Sequence, residues 1–478
     1  MRYILAVLWI MLPLVAFGQA KKNALEVFVS AKGFENANLS VCVKDESGKT
    51  VHEYNSKKSL TPASVLKALT TATAMELLGA DFRFKTELYA DRSVPRLIIV
   101  KGYGDPTLGS EYISDPASEF LNRWVAAIKE KVNSKSVQIL VDDSYFGYKG
   151  VSSKWIREDL GNYFAAGAYG ISVFDNTYRL VMNTVNTDSC PRILRTEPAV
   201  DCLKFTNMLQ LNKSGQDNGY ICGEPFSCHR LLMGDIPAAK ASFSIKGDIP
   251  DPGLFLGQTL AANLNKHGYE VQGVRTQRRE YLQNMFSSEL SFQVEYEKIY
   301  THQSPPLWEI VKVINFRSNN HFSEHLIRAI GRVRDKKVYS EPLNEGVGQI
   351  KSFWKTKGLD VNALFMYDGC GLSPSNAVSS EFLCSVLSYM QRSGTSWNRY
   401  YQSFPAAGKE GTVRGLLKGS RLEGKVKVKS GSIAGVQCYA GYYFTQDKKY
   451  SFVVMVNNFT CPRREAVKAI ENLLLGIF

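Results

Sequence analysis

Thr61-Pro62-Ala63-Ser64-Val65-Leu66-Lys67-Ala68-Leu69 opens the stretch that decides the fold. Thr61 suits an N-cap and Pro62 the first helical position, where a missing N–H costs little. Val65, Leu66, Leu69, Ala72, Ala74, Met75 and Leu78 then predict an apolar helix, with Gly79 as its C-terminal cap. Ser64 would fall in the first turn, where unpaired backbone N–H groups and the positive helix end favour a developing oxyanion. Lys67, three residues on, shares its face. An amine that near, in an apolar pocket beside another cation, would have its pKa pulled down and could take the serine proton.

Two further strings follow in order. Ser318-Asn319-Asn320 comes after the loop Ser304-Pro305-Pro306 and an apolar helical run through Leu307, Ile310, Val311, Val313 and Ile314. A second helical pattern, Phe322, Leu326, Ile327, Ile330, begins at once. Ser318 and Asn320 would therefore sit in a tight link, projecting a hydroxyl and an amide into a cleft; the same residues equally suit an ordinary helix cap. The third string, Lys429-Ser430-Gly431, ends the alternating run Gly424-Lys-Val-Lys-Val-Lys429, which predicts a strand packed on one face. Alternating lysines commonly protect a sheet edge, but a break at Gly431-Ser432 would let backbone N–H groups approach a ligand. Strand-like runs Gln437 to Thr445 and Tyr450 to Val456 come next.

The three strings, S-x-x-K, S-x-N and K-[TS]-G, stand in the order and rough separation of the serine acyl-transferase triplet. Each occurs a second time, at Ser352-x-x-Lys355, Ser396-x-Asn398 and Lys213-Ser214-Gly215. The first lacks a helix start, and the third lies out of order and off any strand; both read as chance.

With Gly104-Asp-Pro-Thr-Leu108, Asp142-Asp-Ser-Tyr-Phe146, Asp368-Gly-Cys-Gly-Leu-Ser373, Gly411-Thr-Val-Arg414 and the strand from Gly435 to Gly441, the selected copies resemble the low-molecular-mass class C penicillin-binding proteins of the D-alanyl-D-alanine carboxypeptidase/endopeptidase family. The resemblance covers most of the mature chain. Two residues depart from it: Ser430 stands for the usual threonine and Cys370 for the usual serine. It implies an α+β fold with a β-lactamase/transpeptidase-like domain, an antiparallel sheet flanked by helices, carrying one or two inserted strand-rich domains. It implies two-step acyl transfer on a peptidoglycan stem peptide, with β-lactams as covalent inhibitors. Ser64 would attack and Lys67 act as base, while the N–H groups of Ser64 and Ser432 hold the oxyanion. Ser318 would relay the proton to the leaving amine and Asn320 orient the substrate amide. Lys429 and the Ser430 hydroxyl would hold the terminal carboxylate. The string Trp155-Ile-Arg-Glu-Asp159-Leu-Gly-Asn-Tyr-Phe164 resembles the family segment whose aspartate meets the free amine of a diaminopimelate side chain; a solvated helix end is the plain alternative for Asp159 and Phe164. A β-lactamase or esterase would use the same Ser64 and Lys67, and a wall-binding protein would keep the fold without the chemistry.

The whole chain agrees with this reading. Its 478 residues, 44% apolar, can build two or three domains. Arg2, the apolar run Tyr3 to Phe17 and Gly18-Gln-Ala20 predict a secretory signal peptide over residues 1–19, hence an exported protein of the periplasm or another extracytoplasmic space. A net charge of +13 suits an anionic envelope polymer or peripheral association with the envelope. Nucleic acid is excluded by the export signal and the lack of any nucleic-acid motif. Of nine cysteines, Cys222 and Cys228 are spaced for a small disulfide loop. Cys228 with His229 lacks a fourth ligand for zinc, so neither a metal nor another cofactor is expected.

Some 250 residues separate Lys67 from Ser318, far more than a connection needs. Short strands at Thr86 to Tyr89, Leu97 to Val100 and Val137 to Val141 and a helix from Phe120 to Val132 fall in that interval. The expected division is a catalytic domain of residues 20–85 plus 250–478 and inserted material at 86–249. Leu39 to Asp45 and Thr50 to Tyr54 should form a hairpin joining the C-terminal strands, with the helix Arg463 to Phe478 covering the sheet.

Overall fold

Alternation of valine with lysine ahead of Ser430 produces the strand Val426–Ile433, which edges a five-stranded antiparallel sheet. The computed structural model describes residues 24–91, 96–114, 116–185, 190–283, 296–334 and 341–478; the expected signal peptide lies outside them. The sheet runs in the order Val426–Ile433, Val436–Phe444, Lys449–Asn457, Asn38–Lys44, Thr50–Tyr54, so both ends of the chain share it. Along Asn38–Lys44 the period of two sends Leu39, Val41 and Val43 to one face and Ser40 and Cys42 to the other. The first face packs on the closing helix Arg463–Ile477 through Ala466, Ile470, Leu473 and Leu474. The second meets the helix Ser380–Ser393, where Ser40 Oγ donates to Ser380 Oγ at 2.6 Å and Tyr442 OH to Leu387 O at 3.0 Å. Cover on both faces explains why Val436–Phe444 reads as a continuous apolar run.

The helix after Ser64 is a core helix, Leu66–Leu77, buried at every residue from Leu66 to Met75. Its threonines are satisfied locally or by neighbours: Thr71 donates to Lys67 O at 2.7 Å, Thr70 to Gly369 O at 2.7 Å, and Thr73 accepts from Trp354 Nε1 at 2.8 Å. Gly79 takes the expected left-handed turn at φ +88°. Thr61, however, does not cap the helix. The Asn457 side chain takes both its N–H, at 2.8 Å, and its carbonyl, at 3.0 Å, fastening it to the sheet. Pro62 instead precedes a 3-10 turn, Ala63–Val65, and the α-helix starts only at Leu66.

The chain divides into two units. The first holds residues up to Ala80, Val311–Ser318 and Ile350–Phe478; the second holds Asp81–Ile310 and Asn319–Gln349. Residues 250–310 and 319–349, expected in the catalytic part, thus belong to the second. The cause is local: the helix Pro252–Lys266, capped by Asp251, leads into the strand Glu270–Thr276, which pairs in parallel with Ser136–Asp142. These belong to a mixed sheet ordered Glu270–Thr276, Ser136–Asp142, Leu97–Gly102, Lys85–Asp91, Tyr296–Gln303. Trp124, Val125 and Ile128 of the helix Glu119–Lys131 pack with Val137, Ile139, Leu256 and Leu260 in its core. Smaller sheets complete this unit.

The disulfide joins Cys202 to Cys228, with Cα atoms 5.6 Å apart, and not Cys222 to Cys228. Parallel pairing of Lys204–Asn207 with His229–Met233 puts Cys202 beside Cys228, while Cys222 lies on the antiparallel strand Tyr220–Cys222 with Sγ 3.9 Å from Glu158 O. With its thiol so used, Cys228 cannot serve a zinc site.

The helix Asn320–Arg332 carries two buried imidazoles at i and i+4. His325 Nδ1 lies 2.8 Å from Gly104 O and Nε2 2.9 Å from Ser172 Oγ, with His321 Nε2 3.1 Å from His325 Nε2. Burial, then the Arg328 charge, pushes His321 down to about 3; burial and His321 hold His325 well below its usual range. Both are neutral in the folded chain at pH values where the unfolded chain protonates them, so stability should fall as pH drops below about 6.5. Each histidine contributes up to roughly 1.4 kcal/mol per pH unit. Urea unfolding followed from pH 7 to 5 should show this acid loss, and His321→Gln should flatten it by about one proton; an unchanged slope would contradict the assignment.

Candidate active site

Ala63 adopts φ +47°, a left-handed conformation rare for alanine, and sets the entry into the turn that holds Ser64. Lys67, fully buried, donates from Nζ to Ser64 Oγ at 2.8 Å and to Cys370 O at 2.6 Å. That carbonyl is positioned by Asp368, whose carboxylate accepts from Gly371 N at 2.7 Å, Ser373 N at 2.6 Å and Asn376 Nδ2 at 2.8 Å. Gly371, at φ +80°, lies so near that an added Cβ would be 2.0 Å from Ala63 O. Cys370 therefore serves Lys67 through its backbone carbonyl.

The third string comes to the same place from the sheet edge. Lys429 Nζ donates to Ser318 Oγ at 2.9 Å and to Ser430 O at 2.5 Å. The expected break at Gly431-Ser432 is absent: the strand continues to Ile433 and turns at Gly435, φ +67°. Glycine is needed at 431 for close approach instead. A Cβ there would lie 2.7 Å from Pro62 O and Val65 N and 2.9 Å from Ser64 N. The strand edge at Gly431 and Ser432 is thus pressed against the Ser64 turn, the arrangement an oxyanion hole requires.

Lys429 is fully buried, and burial followed by the nearby Lys67 charge holds its pKa well below the lysine range. Its Nζ donates to Ser318 Oγ and Ser430 O, so it orients the Ser318 hydroxyl with two of its three ammonium donors. Ser318 itself sits at φ +56° between the helices Leu307–Arg317 and Asn320–Arg332.

On the opposite face of the strand Ser430 Oγ meets Thr412 Oγ1 at 2.8 Å, and Ser432 Oγ accepts from Arg463, which also donates to Ile433 O at 2.7 Å. Neither Thr412 nor Arg463 was singled out as a site residue by the sequence reading. Thr412 lay within a quoted string, whereas Arg463 carried no signal beyond opening a helix.

Asn320, Asp159 and Phe164 belong to the second unit. Asn319 is the true helix cap, accepting from Phe322 N at 2.8 Å, which leaves Asn320 to donate from Nδ2 to Phe164 O at 2.7 Å. Two of the residues picked from separate strings are therefore hydrogen-bonded. Asp159 ends the 3-10 turn Arg157–Asp159, half-buried, and burial with the adjacent Glu158 raises it to about 6. The rival copies stand apart from this chemistry: Ser352 and Lys355 are exposed on the helix Pro342–Thr356, and Ser214 donates to Asn212 Oδ1 in an exposed turn.

The model of the D-Ala-D-Ala carboxypeptidase 3 (S13) family matches residues 21–475. A D-alanyl-D-alanine carboxypeptidase of Actinomadura sp. is 24% identical over 465 residues, covering 94% of this chain and 82% of that protein. The crystal structure of penicillin binding protein 4 (dacB) from Haemophilus influenzae superposes with a TM-score of 0.77 at 21% identity, over 95% of this chain and 98% of that one, which establishes the shared fold. A second structure of that protein, complexed with a novel β-lactam, has a TM-score of 0.75 at 20% identity, over 95% and 99% of the two chains.

Burying Lys429 has a measurable consequence. Between its depressed folded pKa and the unfolded value near 10.5 the unfolded chain binds the extra proton, so wild-type stability is lowered there and the penalty shrinks as pH rises. Lys429→Met removes that penalty, so its unfolding free energy relative to wild type should be most favourable near pH 7. The gain should narrow toward pH 10, and acylation should be lost. A stability difference that does not change between pH 7 and 10 would refute the buried, suppressed charge.

Proposed function

The chain belongs to the D-Ala-D-Ala carboxypeptidase 3 (S13) family, and from that premise we propose how its residues share the acyl transfer. The protein is a penicillin-binding serine hydrolase of D-Ala-D-Ala peptides, acting as carboxypeptidase, endopeptidase or both. One observation carries the assignment of roles: Lys67 Nζ stands 2.8 Å from Ser64 Oγ, while Lys429 Nζ stands 2.9 Å from Ser318 Oγ within the same unit.

Ser64 Oγ attacks the penultimate D-alanyl carbonyl and Lys67 Nζ receives its proton. The developing oxyanion is held by the N–H groups of Ser64 and Ser432, which the side-chain-free Gly431 allows to converge. Ser318, oriented by Lys429, returns a proton to the departing amine, and Asn320 aligns the peptide amide. Water then attacks the acyl ester, with the same lysine and hydroxyls acting in reverse. Asp159 pairs with a free ammonium on the stem-peptide side chain, which makes a diaminopimelate-type peptide the favoured substrate. No helix among the described residues is long and apolar enough to cross a membrane, and the Cys202–Cys228 bond favours an oxidising compartment. The disulfide supports action outside the cytoplasm, in the periplasm.

Labelling with a fluorescent penicillin followed by mass mapping tests the nucleophile. The adduct should fall on the Ser64 peptide and vanish in Ser64→Ala, and Lys67→Met should slow its formation by about 100-fold or more. An adduct on any other residue would refute the scheme.

Asp159 adds a pH signature. Its raised pKa leaves it neutral below about 6 and charged above, so preference for a peptide with a free side-chain amine over its N-acetylated form should grow from pH 5 to 7.5. Asp159→Asn should abolish that rise; a flat wild-type ratio across the range would remove Asp159 from the site.

A further inference from the structure

We propose that Arg463, the first residue of the closing helix, is the cation that reads the carboxylate on the carbon bearing the scissile nitrogen. The inference rests on the Ser64 reading above and deepens it. A free carboxylate is recognised by a fixed positive group, and the residue expected to supply one, Lys429, is fully buried with two of its three donors engaged by Ser318 Oγ and Ser430 O. The outer face of the same strand offers another arrangement. Ser430 and Ser432 are two residues apart, so their side chains share that face roughly 7 Å from one another. Thr412 brings a third hydroxyl, 2.8 Å from Ser430 Oγ. Arg463 reaches this row from the helix Arg463–Ile477, donating to Ser432 Oγ and to Ile433 O.

Its guanidinium has five donors in a planar fork suited to a carboxylate, and two contacts leave three of them to spare. The side chain is exposed, and no carboxylate pairs with it among the described residues. A row of three hydroxyls ending in an unneutralised guanidinium, on the strand whose edge touches the nucleophile turn, has the composition of a carboxylate subsite.

The test compares two peptides ending in D-Ala-D-Ala, one with a free terminal carboxylate and one with a terminal amide. Arg463→Ala and Arg463→Gln should each lower kcat/KM for the acid by roughly 10- to 100-fold, the effect of one charge-assisted pair, through KM, with the amide little changed. Arg463→Lys should recover part of the loss. In wild type, KM for the acid should rise with ionic strength, and Arg463→Gln should remove that dependence. Equal losses for acid and amide, full activity in Arg463→Gln, or an unchanged acid-to-amide ratio would each overturn the proposal and leave Arg463 as a structural tie. Failure of the Ser64 reading gives a different result: wild type itself would then show no penicillin adduct on Ser64, and both inferences would fall together.

Discussion

Contact between backbone and backbone at the Ser64 turn is the constraint on which the catalytic unit depends. On one side the strand Val426–Ile433 comes so near at Gly431 that a single added carbon would lie within 2.9 Å of Ser64 N and 2.7 Å of Val65 N. On the other, Gly371 lies against Ala63 O. Side chains can change rotamer when crowded, but main chain held by a sheet ladder cannot yield without breaking hydrogen bonds. Two glycines more than 300 residues along the chain from the nucleophile therefore fix its position better than any contact of its own side chain. From this closeness the rest follows: the same strand edge delivers Lys429 to Ser318, and the same Asp368 loop delivers a carbonyl to Lys67.

The arrangement is strained at the motifs themselves. Ala63 and Ser318 both hold positive φ, each costing on the order of 1–3 kcal/mol, and two lysines are buried beside them. At most such positions glycine would relieve the backbone. At 318 it cannot, because the hydroxyl that meets Lys429 would be lost. The offset comes from the sheet packed between the helices Arg463–Ile477 and Ser380–Ser393, whose apolar faces include Val41, Val43, Val454, Leu473 and Leu474. A rigid, doubly covered sheet is what permits one unfavourable turn to persist.

What could be read from the sequence was what sequence neighbours decide. Ser64 and Lys67 meet because three residues is the helical spacing, and the hairpin Asn38–Lys44 with Thr50–Tyr54 follows from period-two alternation around the turn at Asp45. Errors arose where a distant residue outbid a local preference. Thr61 had the composition of a helix cap, but Asn457, 396 positions away, took both its backbone groups. Cys222 and Cys228 had the spacing of a small loop, but a parallel strand pairing presented Cys202 first. Gly431 was noticed as a break, whereas its function is to bring two stretches of backbone together, a property that no single stretch encodes. Residues 250–310 lacked any feature to distinguish them from the catalytic part, since parallel pairing with Ser136–Asp142 is set by the partner strand.

The separation between buried lysines and an exposed arginine follows from the side chains themselves. A lysine amine can lose its charge when desolvated, and once neutral it still donates hydrogen bonds and can accept a proton. Lys429, its pKa held well below the lysine range by burial and the nearby Lys67 charge, is shifted in that direction and hydrogen-bonds Ser318. A guanidinium keeps its charge throughout the working range but cannot take part in proton transfer. Putting lysines beneath the strand and the arginine above it therefore lets one stretch, Lys429 to Ile433, serve proton transfer on one face and recognition of an anion on the other, without either cation compromising the task of the other.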